Sequence, residues 1–246
     1  MIYAIIAAGE GSRLKEEGVS ALKPMVVVNS EMLIDRLIRV FLHNRATRII
    51  IIVNDHSQAL VEHIKSLDLP VPLQLVIKST PSSFHSFYEL VQSLGSTPEE
   101  LCLATTDTIF REEEFSRYID QFINNRVNDG LFAVTSFIDD ETPLYVAVDE
   151  TGTITGITDN AAQPNPFISA GIYCLRKPAL AVVAAAMQEG VHRMRNYQKM
   201  LLQHNLDLKA WTFSKVLDID HVSDIEKAEE FLKETRSVKH LQHVNG

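Results

Sequence analysis

The N-terminal run Ile2-Tyr3-Ala4-Ile5-Ile6-Ala7-Ala8 breaks at once into Gly9-Glu10-Gly11-Ser12-Arg13-Leu14. An unbroken apolar run this short reads as a strand buried on both faces, which needs a sheet with helices packed against each side. The chain repeats the theme. Tyr3 to Ala7, Arg48 to Val53, Leu73 to Ile77 and Leu101 to Thr105 have strand character, and Met32 to His43, Gln58 to Ser66 and Ser83 to Leu94 have helical periodicity between them. Such alternation predicts βαβ units, hence an α/β fold. The expected architecture is a Rossmann-like three-layer sandwich with a mostly parallel mixed sheet.

After residue 130 the strands shorten: Leu131 to Phe137, Leu144 to Val148 and Thr153 to Thr158, the last two joined by the turn Asp149-Glu150-Thr151-Gly152. Phe167 to Leu175 reads as a buried strand, Pro178 to Met187 and Met194 to His204 as helices, Leu208 to Phe213 and Lys215 to Leu217 as short strands. Val222 to Glu234 predicts a last helix. Residues 1–235 are expected to form one domain, followed by a polar tail, 236–246, frayed from Ser237 onward.

The net charge of −9 argues against nucleic acid as a partner. The balance is uneven: residues 1–50 carry a net +2 and the rest −11, so an anion meets its best reception near the N-terminal segment. Cys102 and Cys174 both sit in apolar runs and read as buried, reduced thiols of a cytoplasmic protein. The apolar start is too short for a membrane span, and no membrane partner is expected. A homo-oligomer is compatible with this composition.

Glycines that follow a strand let backbone N–H groups approach phosphate oxygens. Arg13 adds a planar fork and Lys23, in Leu22-Lys23-Pro24-Met25, a mobile point charge. The segment matches neither the P-loop nor the dinucleotide fingerprint. It suits a nucleoside triphosphate or another polyphosphate. Asp107, directly after the strand Leu101 to Thr105, is placed at the ligand edge of the sheet. Triphosphate chemistry needs Mg²⁺, which takes one or two carboxylates with phosphate oxygens and water. Asp107 can alternatively cap the helix that begins near Glu112. In Leu217-Asp218-Ile219-Asp220, alternation puts both carboxylates on one side, able to meet one metal, or Asp220 prepares the following helix. Ser79 and Ser83, in a serine-rich loop after a strand, are base-binding candidates, with a helix cap at Ser82 or Ser83 as the plainer role. Gly171 allows a ligand to approach or relieves packing inside a strand.

In these residues the chain resembles the nucleotidyltransferases that activate sugar 1-phosphates, whose AAGxGxRL, Pro-Lys-Pro-like segment, strand-terminal Asp and late Asp read here as AAGEGSRL, LKPM, LATTDT and VLDIDHVSDIEKA. The late motif also resembles the phosphocholine cytidylyltransferase branch. The resemblance covers residues 1–232 and implies the fold of nucleotide-diphospho-sugar transferases. It implies an NTP and a phosphorylated small-molecule acceptor as partners and Mg²⁺ as cofactor. It also implies nucleotide contacts from Ala7, Ala8, Gly9, Gly11 and Ser12, catalytic charge from Arg13 and Lys23, metal ligation by Asp107 with Asp218 or Asp220, and Gly171 beside the acceptor. The chain departs from the family pattern at Leu22, at Thr106, and at Thr158 to Pro164, which stands where sugar-specific members carry Glu-Lys-Pro. The last departure weakens the acceptor assignment. An NDP-sugar glycosyltransferase, using Asp218-Ile219-Asp220 on a metal, and a catalytically silent sugar-nucleotide-binding regulator are the alternatives.

Overall fold

The computed structural model describes residues 1–9, 11–139, 141–160 and 167–243, with side chains described as far as Glu234. Its strands are β1 (Ile2–Ala7), β2 (Val27–Val28), β3 (Glu31–Met32), β4 (Arg48–Val53), β5 (Leu73–Ile77), β6 (Glu100–Thr105), β7 (Thr108–Ile109), β8 (Gly130–Thr135), β9 (Tyr145–Val148), β10 (Ile154–Thr158), β11 (Phe167–Arg176), β12 (Leu208–Phe213) and β13 (Leu217–Asp218). Its helices are α1 (Ser12–Glu16), α2 (Leu33–His43), α3 (Gln58–Ser66), α4 (Ser83–Ser93), α5 (Glu112–Asn124), α6 (Lys177–Gln188), α7 (Met194–Gln203) and α8 (Val222–His243).

Nine strands form the main sheet in the order β10-β9-β11-β6-β1-β4-β5, with β8 pairing both β11 and β12. The block β6-β1-β4-β5 is parallel throughout. Antiparallel β11 then continues the sheet, so it is mixed. Period-two alternation divides each central strand between two cores. Tyr3, Ile5, Ile49, Ile51 and Cys102 pack with α2, α3 and α5; Ala4, Ile6, Ile50, Ile52 and Leu103 pack with α4, α6 and α7. The result is the expected three-layer sandwich.

Three features differ from the sequence expectation, and a fourth expectation falls partly outside the described residues. The last helix runs to His243 rather than ending at Glu234, so the frayed tail expected from Ser237 is helical as far as the structure describes it. Lys215 to Leu217 is not a strand; the strand is Leu217–Asp218, paired antiparallel with β7, a two-residue partner too short to be read from sequence. Asp107 does not cap α5, whose N-cap is Arg111. The segment from Thr158 to Pro164 lies partly outside the described residues, from position 161 onward.

The turn at Asp149 behaves as its chemistry dictates. The Asp149 carboxylate accepts from the N–H groups of Thr151 and Thr153 at 2.8 and 2.9 Å, and Gly152 takes the positive φ of 79°. At Gly171 the register between β11 and β8 shifts, and φ is 72°. This glycine is demanded by a bulge that only a residue without Cβ adopts cheaply.

Candidate active site

Parallel β1 is flanked by β4, the next strand of the main sheet in the chain, and by β6, reached by the crossover from β5, so the strand order reverses at β1. The carboxyl edge at such a switch point opens a crevice. The loop after β1 and the segment after β6 form its two walls. A cleft of about 350 Å³ lies there, lined by Gly9, Gly11, Ser12, Arg13, Lys23 and Asp107 among others.

A small apolar cluster seats the charged residues. Leu14, Ile109, Leu217 and Ile219 are buried in it together with Val26, Val28, Leu33, Ala228 and Phe231. Each anchors a polar neighbour: Leu14 fixes Arg13, and Leu217 and Ile219 turn inward while Asp218 and Asp220 turn out. The backbone N–H of Ile219 donates to the carbonyl of Asp107 at 3.1 Å, which locks the late segment against the end of β6.

Lys23 forms the centre of the arrangement. Its Nζ donates to Asp107 Oδ2 and to Asp220 Oδ1, both at 2.6 Å, with only 11% of the side chain exposed. Arg13 Nη1 donates to the other oxygen of Asp220 at 2.9 Å. Burial alone would lower the Lys23 amine, but Asp107 and Asp220 outweigh it and hold the group firmly protonated. Burial alone would raise the Asp107 carboxyl, but the Lys23 ammonium holds it below the usual carboxylate range. Gly11 makes this geometry possible: its φ is 60°, and a Cβ there would stand 2.9 Å from Lys23 Cβ.

The site also fits a divalent cation. Asp107 Oδ1 is buried and has no hydrogen-bond partner, a costly state for a carboxylate oxygen unless a cation is to meet it. Two carboxylates converging beside a phosphate-sized cleft match the donor set that Mg²⁺ takes when nucleotide and water complete its shell.

A second cavity, about 410 Å³, adjoins the first through Ser83. Its floor is a buried polar triad. Tyr173 Oη accepts from Gln198 Nε2 at 2.9 Å and lies 3.1 Å from Ser169 Oγ, which donates to Gln198 Oε1 at 3.2 Å. Burial pushes the Tyr173 phenol up to about 12, so it stays a neutral hydrogen-bonding group. Arg193, Arg195, Gly171 and Asp218 also line this cavity.

A sequence model of the nucleotidyl transferase family matches residues 3–235. The chain belongs to this family. Bifunctional protein GlmU of Synechococcus sp. (strain RCC307) is 25% identical over 192 residues, 74% of this chain and 41% of that protein. The chain therefore spans less than half the length of the curated relative. Three solved structures share the fold. The inositol-1-phosphate CTP transferase of T. maritima superposes with a TM-score of 0.76 at 18% identity, over 95% of this chain and 96% of that one. A putative glucose-1-phosphate thymidylyltransferase of Bacillus anthracis gives 0.79 at 18%, over 94% and 95%. HddC of Yersinia pseudotuberculosis gives 0.70 at 20%, over 93% and 98%.

In this nucleotidyl transferase the residues expected from sequence divide into three groups. Gly9, Gly11, Ser12, Arg13, Lys23, Ser83, Asp107 and Asp220 all line the first cleft. Gly171 and Asp218 line the second. Ala7, Ala8 and Ser79 stand apart: Ala7 is buried in β1, the Ala8 carbonyl accepts from Asn54 Nδ2 at 3.2 Å, and the Ser79 hydroxyl lies against Asn54 and Asp55. Of the two late carboxylates, Asp220 shares Lys23 with Asp107, whereas Asp218 lines the second cavity with Ser169 and Gly171. Glu10 lies outside the described residues. Ser82, not Ser83, caps α4, accepting from the N–H of His85 at 3.4 Å.

Sequence reasoning missed Glu17, Arg193, Arg195 and Gln198. Glu17 Oε2 accepts from the N–H of Val222 at 2.7 Å and its other oxygen meets His221, so it clamps α1 to the start of α8. Arg193 and Arg195 left a legible sign: two arginines at a helix start oppose the helix dipole, so they serve something other than the helix.

Proposed function

We propose that this nucleotidyl transferase moves the nucleoside monophosphate of an NTP to a phosphorylated acceptor, a sugar 1-phosphate above all, and releases pyrophosphate. The observation that carries the reading is the Lys23 ammonium held between Asp107 and Asp220 at the mouth of the glycine loop. The triphosphate lies against the backbone of Gly9, Gly11 and Ser12, with Arg13 and Lys23 on its oxygens. Ser83 stands at the junction of the two cavities, beside the base or sugar of the nucleotide. The acceptor occupies the second cavity, its hydroxyls meeting Ser169, Tyr173 and Gln198 beside Gly171, and its phosphate within reach of Arg193.

An oxygen of the acceptor phosphate attacks the α-phosphorus, a new P–O bond forms, and the bond to the β-phosphate oxygen breaks as pyrophosphate leaves. The attacking group is already an anion, so no protein nucleophile is required. Arg13 and Lys23 neutralise charge on the phosphates and hold the reacting groups in line. Asp107 and Asp220 would hold Mg²⁺, which supplies further charge neutralisation when bound. The single domain of residues 1–235 and a cytoplasmic location complete the reading, supported by the reach of the family match over residues 3–235 for the first and by the two apolar-run cysteines for the second.

The test is pyrophosphate release with Mg²⁺, each of the four NTPs and dTTP being offered with a panel of sugar 1-phosphates and phosphocholine. One productive pair is expected. NTP binding without turnover on any acceptor, sugar phosphates included, refutes the transfer reading in favour of a silent binder.

A further inference from the structure

Three of the four oxygens of Asp107 and Asp220 already face a protein cation. Asp107 Oδ2 and Asp220 Oδ1 share Lys23, and Asp220 Oδ2 takes Arg13. The fourth, Asp107 Oδ1, is buried. A free divalent ion can reach both carboxylates only by expelling an ammonium that holds two short contacts in a place where 11% of its side chain meets solvent. Among the described residues no three His, Cys, Asp or Glu side chains converge to repay that loss with a fuller shell.

Resting on the nucleotide-transfer reading, we propose that Lys23 is an exchangeable counter-ion that bars free metal, so that the cation enters only with the triphosphate. The backbone of Lys23 is held in the tight turn Lys23–Met25, so the outer side-chain torsions are the ones that move. A triphosphate in the cleft offers Lys23 and Arg13 several anionic oxygens at once. Both cations then have equal or better partners, Asp107 and Asp220 are left as adjacent like charges, and their repulsion makes a divalent ion welcome. Lys23 therefore serves two states of one cycle: partner of carboxylates before nucleotide binds, partner of phosphate afterwards. A site of this design wastes no metal affinity on unproductive metal-only complexes.

The test is Mn²⁺ binding followed by electron paramagnetic resonance of the free ion, with wild type, Lys23→Met and Lys23→Arg. Each is measured with MnCl₂ alone and with MnCl₂ plus each NTP and dTTP, the signal loss of a protein-free Mn²⁺–nucleotide sample being subtracted, and each melting temperature is recorded with and without MnCl₂. Wild type and Lys23→Arg are expected to bind Mn²⁺ weakly until nucleotide is added. Lys23→Met is expected to bind Mn²⁺ alone roughly tenfold or more tighter, because two carboxylates have lost their cation. Its melting temperature falls below wild type and rises again with MnCl₂ alone, a reversal that a merely damaged fold does not give. Equal Mn²⁺ affinity in wild type and Lys23→Met overturns the gate while leaving Asp107 and Asp220 as the metal site. No Mn²⁺ uptake by any of the three with any nucleotide overturns the gate together with the reading on which it rests.

Discussion

Gly11→Ala isolates the strain that positions Lys23. The residue sits at φ 60°, ψ 39°, in the left-handed region. An alanine there costs about 1–2 kcal/mol. The added methyl would also stand 2.9 Å from Lys23 Cβ, the root of that side chain rather than its flexible end, so Lys23 or the loop must shift. Gly9 is the internal control: it has no positive φ, and a Cβ there meets nothing within 4 Å.

For a domain of this size each kcal/mol moves the melting temperature by about 2–4 °C, so Gly11→Ala is expected to melt about 2–8 °C below wild type. Gly9→Ala is expected to melt with wild type. On the proposed role of Lys23, displacing its ammonium by about an ångström costs on the order of 10²-fold in rate, so kcat of Gly11→Ala in the pyrophosphate assay is expected to fall by that order. Gly9→Ala raises KM for the NTP without the same loss of kcat, because its methyl intrudes on the phosphates and leaves Lys23 in place. Scanning calorimetry and steady-state kinetics measure both. A Gly11→Ala protein that melts and turns over like wild type refutes the argument that backbone strain at this residue sets the position of Lys23.

Arg13→Ala is expected to lose about 10²-fold in kcat/KM with little change in melting temperature, since the side chain is half exposed, and Arg13→Lys to recover only part, lacking the fork; full activity in the alanine variant makes the contact incidental. Asp107→Asn is expected to abolish metal-dependent turnover yet remain folded, because Lys23 keeps Asp220 as partner; near-normal turnover removes Asp107 from the site. Gly171→Ala, at φ 72° with a methyl 3.3 Å from Thr108 Oγ1, is expected to cost about 1–2 kcal/mol in denaturant unfolding, and an unchanged midpoint shows that the bulge relaxes freely. The Glu112 carboxyl is held low by its hydrogen bonds from Arg39, so its contribution is present above the ordinary glutamate range and lost as pH falls through the lower folded value. Both side chains are more than a third exposed, so Glu112→Gln is expected to lower stability by no more than about 1 kcal/mol at neutral pH, with the gap closing in acid; a gap that persists in acid points to packing instead.

The layers of the fold were legible because they rest on local periodicity. Ile49, Ile51 and Ile50, Ile52 are sorted to opposite faces by alternation alone, and the helices between strands declare their own apolar stripes. The sheet order was not legible. Pairing of β11 against β6 joins segments across a long span of chain, setting Cys174 opposite Cys102, and the bulge at Gly171 has no local sign beyond the glycine. The length of α8 was misread because a polar, His-containing segment resembles a tail, although its residues are acceptable helix formers once a preceding helix has paid the nucleation cost.

The late carboxylates mark the limit of sequence reasoning most sharply. Alternation correctly turns Asp218 and Asp220 away from the core that holds Leu217 and Ile219. It cannot choose between them, because both satisfy the same local pattern. The register of β13 is that of its ladder with β7, and Ile219 N–H donates to the Asp107 carbonyl beside it. Sliding β13 by two residues would preserve the alternation and offer Asp218 to Lys23 in place of Asp220. The apolar seat forbids it, since Leu217 and Ile219 fill positions among Ile109, Leu14 and Phe231. Selection of the carboxylate that shares Lys23 is thus a packing decision made by its hydrophobic neighbours, and substituting Ile219 by alanine tests it. A cavity there costs about 2–5 kcal/mol and loosens Asp220 from Lys23, so the variant is expected to lose turnover at temperatures where it is still fully folded. Turnover that declines only in step with unfolding would mean that Ile219 supports the fold and has no say in which aspartate reaches the site.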